Sequence, residues 1–80
     1  MTPVLYWLSY RSDEEVTIFL VEAAYELSAR VKAGLAGMDH NKFVESHALP
    51  EKMAKKVPPS MIGRSLSGKE AAALLKKLEG

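Results

Sequence analysis

The hydrophobic positions of this chain change their spacing several times, and each change marks an element. Over "PVLYWLSYR" (Pro3 to Arg11) both alternate sets are apolar: Leu5, Trp7 and Ser9 form one, and Val4, Tyr6, Leu8 and Tyr10 the other. A run of aromatic and aliphatic residues with no helix breaker after Pro3 predicts a strand, and two apolar sets predict cover on both faces. "VTIFLVE" (Val16 to Glu22) predicts a second strand in the same way. The polar "SDEE" between them predicts an antiparallel hairpin. From Ala24 the period lengthens: Ala24, Leu27, Ser28, Val31 and Leu35 fall on one helical stripe, and Gly34 and Gly37 predict its end. "KFVESHAL" alternates more weakly, as expected of an edge strand. Pro50 suits the start of a short helix or turn running to Lys56, and Val57 before two prolines is held extended. Met61 and Ile62 then ride on a stiff tether, and Ala71, Leu74, Leu75 and Leu78 form the stripe of a last helix.

The expected fold is one α+β domain over residues 1–80. A small antiparallel sheet has two strong strands near 4–11 and 16–22 and a weaker third near 42–48. Two main helices lie near 24–36 and 68–79. The expected core is Leu5, Trp7, Leu8, Ile18, Leu20, Leu27, Val31, Leu35, Ile62, Leu74 and Leu78. One helix covers one face of the strands. The other face needs the C-terminal helix or a second protomer, so a homodimer is expected.

Composition narrows the class. At 48% hydrophobic and 26% charged residues the chain has a globular balance. With no Cys there is neither a disulfide nor a thiolate metal site, which fits a reducing cytoplasm. No basic run precedes the first apolar stretch, and nothing approaches the roughly 18 apolar residues of a membrane span. The expectation is a soluble, untargeted protein. The net charge of +1 hides a division. Residues 1–40 carry three cations against six carboxylates, a net −3, and residues 41–80 carry eight against four, a net +4.

Candidate chemistry is sparse. In "GRSLSGKE", Gly63, Gly68 and Lys69 have the spacing of a phosphate-binding P-loop, but Glu70 stands where that loop needs a hydroxyl for Mg²⁺. The same letters make a capping box, with Ser67 and Glu70 satisfying each other's backbone N–H groups at a helix start. Asp39, His40, Glu45 and His47 lack the shared-face spacing of a metal set. Neither a nucleophile elbow nor a triad spacing accompanies the serines, and the consecutive Asp13, Glu14 and Glu15 suit a solvated turn. No catalytic residue, cofactor or metal is therefore expected, and the chain does not read as an enzyme.

"VEAA" (Val21 to Ala24), Arg30, Ala33, "VPPSMIGR" (Val57 to Arg64), Leu66-Ser67 and Glu70-Ala71 together resemble a group of small bacterial proteins. In that group an apolar V-E-A strand and a helix lead through V-P-P-x-x-I-G-R to a last helix. The resemblance spans most of the chain and implies no activity. By size and type the chain also resembles anti-CRISPR proteins. That implies a cytoplasmic inhibitor in a bacterial host that binds a CRISPR effector complex and keeps it from DNA, by occlusion rather than by acidic DNA mimicry. The expectation is a non-enzymatic inhibitor or adaptor, with Tyr10, Arg11, Lys52, Lys55, Lys56 and Arg64 as partner contacts. The alternative is a nucleic-acid accessory protein with Lys52, Lys55, Lys56 and Arg64 on phosphates. No aromatic interleaves with those lysines, which makes direct nucleic-acid binding the weaker expectation.

Overall fold

A computed structural model describes residues 3–38 and 41–79. In chain order it holds β1 (Val4–Ser12), β2 (Glu15–Ala23), α1 (Glu26–Leu35), β3 (Lys42–Ala48), α2 (Glu51–Ala54), a 3₁₀ turn (Pro59–Met61), β4 (Ser65–Ser67) and α3 (Gly68–Glu79). The strands form one antiparallel sheet in the order β3-β1-β2-β4. The α+β class and the three foreseen strands are found. β4 was not foreseen: three residues are too few to show an alternating pattern, although Leu66 is fully buried between two exposed serines.

β1 and β2 turn over two residues, with Ser12 paired to Glu15. Asp13 takes φ 54°, a left-handed conformation that Asp accepts more readily than most residues. The register pairs Leu8 with Phe19 and Trp7 with Leu20, so alternate residues feed two separate cores. Leu8, Tyr10, Phe19, Val21 and Ala23 pack with Ala29 and Ala33 of α1 and with Met38 on one face. Leu5, Ile18 and Leu20 pack with Val57, Leu66 and the Ala71, Leu74 and Leu78 stripe of α3 on the other. Trp7, Leu49, Met53, Met61 and Ile62 are half-buried around that second cluster. One chain thus covers both sheet faces, and the pattern that suggested a second protomer is satisfied by α3.

The expected core needs a correction at α1. Leu27, Val31 and Leu35 are exposed by 66%, 56% and 84%, while Ala29 and Ala33 are fully buried. The two stripes lie about 200° apart on the helix, and the sheet chooses between them. It already presents Tyr6, Tyr10, Phe19 and Phe43 toward α1. Only methyl-sized helix residues fit above that layer at native packing density. Trp7 and Ile62, also expected inside, are half-buried.

The sheet edges are blunted. Along β3 the register shifts between Ser9, paired to Glu45, and Tyr10, paired to Phe43, which leaves Val44 as an extra residue in a bulge. β4, at the other edge, is three residues long. Among the described residues no helix is long and apolar enough to cross a membrane.

Candidate protein-binding face

The outer side of α1 is built from Leu27, Val31 and Leu35, each four residues on from the last and so aligned along the helix. Tyr25, just before the helix, is also more than half exposed. Single exposed leucines need no explanation, but an aligned apolar row on a helix is a candidate interaction surface. Beside it runs an open groove of about 390 Å³, lined by Leu27, Val31 and Gly34 of α1 and by Tyr10, Asn41 and Phe43. Arg30 roofs one side, with its guanidinium carbon 4.0 Å from the centre of the Phe43 ring. Tyr10 meets that ring edge-to-face, with centroids 5.6 Å apart. Burial pushes the Tyr10 phenol above its ordinary pKa, and the Arg30 charge pulls it partly back. The groove floor therefore stays neutral in the physiological range. Polar contacts hold α1 at its flanks: Ser46 Oγ donates to the Glu26 carboxylate, and Lys32 Nζ donates to the Glu22 carbonyl at 2.9 Å. The face thus offers a convex apolar row and a concave aromatic groove, bordered by cations.

The six expected contact residues do not share a surface. Tyr10 is 5% exposed and forms part of the groove floor. Arg11 is exposed at the end of β1, directly across from Lys42. Lys52 is exposed on α2, and Lys55 pairs with Glu51 at 3.6 Å. Lys56 Nζ lies 3.5 Å from the Leu78 carbonyl at the end of α3. Arg64 pairs with Glu70 at 2.8 Å. Leu27, Val31 and Leu35 were missed as surface residues because their spacing equals that of a core stripe. The available signal was the competing Ala29 and Ala33 row opposite an aromatic-rich sheet.

The P-loop spacing resolves as a cap. Glu70 N–H donates to Ser67 Oγ and Ser67 N–H donates to Glu70 Oε1, both at 3.2 Å. The bond from Arg64, and then the one from the Ser67 N–H, hold the Glu70 carboxyl below its usual pKa. The open groove beside this helix start is lined by Glu15 and Glu70 as well as Lys69, so carboxylates stand where a phosphate would need donors. Of the sparse metal set, Asp39 and His40 lie outside the described residues, and Glu45 and His47 form an exposed pair at 3.5 Å. Among the described residues no group of three or more His, Asp or Glu is placed to hold a metal ion.

Comparison with family models, with curated proteins and with solved structures gives no match for this chain.

Proposed function

We propose that the chain is a non-enzymatic binding protein that inserts the outer face of α1 into an apolar groove of a partner protein. The observation that carries this is the choice made by α1: it buries two alanines and leaves Leu27, Val31 and Leu35 in solvent. A helix that presents anchors at positions i, i+4 and i+8 suits the helix-in-groove mode of recognition. A ten-residue helix is only about 15 Å long, so two such helices lying side by side bury little. A groove that wraps the helix comes nearer the roughly 800 Å² per partner of a stable interface. Arg30 and Lys32 flank the row, so the partner groove should be rimmed by carboxylates. A homodimer is the competing occupant. In its sharper form the partner is a CRISPR effector complex, which the seated chain keeps from target DNA. That form draws on the resemblance of type and on the small size of a domain with so exposed an apolar row.

The test is a triple variant, Leu27→Asp with Val31→Asp and Leu35→Asp, run beside the wild type. Circular dichroism should show the same fold for both. Pull-downs from a bacterial host should recover a partner with the wild type alone. A partner retained equally by both proteins overturns the assignment of this face. Light scattering that shows a wild-type dimer and a monomeric variant makes the occupant a second copy. For the sharper form, purified effector complex should lose target-DNA binding in excess wild type. Unchanged DNA binding removes it.

A further inference from the structure

We propose that the outer face of α3 is a second, electrostatic surface that seats on the phosphate backbone of duplex nucleic acid without reading its sequence. The fold gathers most of the chain's cations into one layer. Residues 50–79, which include the edge strand β4, supply the layer over one sheet face and carry seven of the eleven Lys and Arg residues against Glu51, Glu70 and Glu79. Two of those carboxylates are engaged locally, Glu51 by Lys55 and Glu70 by Arg64 and the cap. Glu79 remains as an exposed carboxylate at the end of α3.

On α3 itself Lys69 and Lys76 lie two turns apart on one line, roughly 10 Å along the axis, with Lys77 beside the second. All three are exposed and make no ion pair among the described residues. Between them the surface is Ala72 and Ala73, so nothing taller than a methyl group keeps a rigid backbone away. Glu15 lies near Lys69 across the groove at the helix start and limits the footprint at that end. Base stacking would need aromatic rings beside these lysines, yet Tyr6, Tyr10 and Phe43 pack on the opposite sheet face, the exposed Tyr25 precedes α1, and Trp7 is half-buried against the core under α3. The surface therefore suits the backbone of a duplex rather than unstacked single strands.

Three cations set the size of the effect. The logarithm of the affinity should fall with the logarithm of salt concentration at a slope of about −3 for duplex DNA. Fluorescence anisotropy with two duplexes of unrelated sequence should give the same low-salt affinity and the same slope. Lys69→Gln with Lys76→Gln and Lys77→Gln should bring the slope close to zero, and the triple aspartate variant of α1 should bind DNA as the wild type does. No binding at low salt, preference for single strands, or a slope unmoved by the glutamine variant overturns the proposal. The two variant sets act on opposite layers, so failure here leaves the α1 assignment standing, and the reverse.

Discussion

At the scale of single residues, Ser67 and Glu70 do what their spacing implied. The cap is local, so four letters suffice to specify it, and the same locality allows a clean test. Ser67→Ala should cost about 1 kcal/mol. For a domain of this size that lowers Tm by roughly 4–8 °C in a calorimetric scan. Glu70 adds a pH dependence of known sign. Its folded pKa is lowered, so its contribution is present above the ordinary value of 4.5 and is lost as pH falls through the folded value. The Tm gap between wild type and Glu70→Gln should therefore narrow on acidification, and a gap constant through that range would refute the ionised carboxylate, with its bond from Arg64, as the cause. Asp13 supplies a second local test. A β-branched residue at φ 54° is strained, so Asp13→Val should cost about 1–2 kcal/mol. Asp13→Gly should be tolerated, and equal losses for both would place the effect elsewhere than the backbone.

At the scale of elements, the strands were legible and the orientation of α1 was not. The near-continuous apolar runs of β1 and β2 report burial on both faces directly, because each strand supplies side chains to both cores. α1 carries two usable stripes, and nothing within the helix says which one faces the sheet. That choice is made by Tyr6, Tyr10, Phe19 and Phe43, which are remote in sequence, so the exposed apolar row became visible only in three dimensions. The cations of the C-terminal half were legible as charge, but not as one layer. The packing account makes a prediction of its own. Ala33→Leu forces extra methylenes into a filled space and should destabilise the fold by about 1–3 kcal/mol. Leu35→Ser, on the exposed side of the same helix, should change stability by no more than about 0.5 kcal/mol. Chemical denaturation of both variants measures the contrast, and a larger loss for Leu35→Ser would mean that the stripes are reversed.

At the scale of the whole molecule, an 80-residue chain divides its apolar residues between two cores on either side of one sheet. A domain this small buries only a little over roughly 60% of its unfolded surface, so neither core has much stability to spare. Yet the cores are not independent. β1 gives Leu5 to one and Leu8 to the other, and β2 gives Ile18 and Leu20 to one and Phe19 and Val21 to the other. Losing either layer exposes the back of strands on which the remaining layer depends. The α1 side is held by alanines, whose burial contributes less than that of the leucines under α3, so it would open first if the layers could separate. The shared strands should prevent that. Trp7 is the only tryptophan and packs on the α3 side, so its fluorescence follows that core. Near-ultraviolet dichroism of the tyrosines weights the α1 side, where Tyr6 and Tyr10 lie. Both signals, together with far-ultraviolet dichroism, should trace one denaturation curve with a common midpoint. A tyrosine transition at lower denaturant than the tryptophan transition would show that α1 detaches before the sheet melts. The exposed apolar row would then belong to a separable element and not to a rigid face.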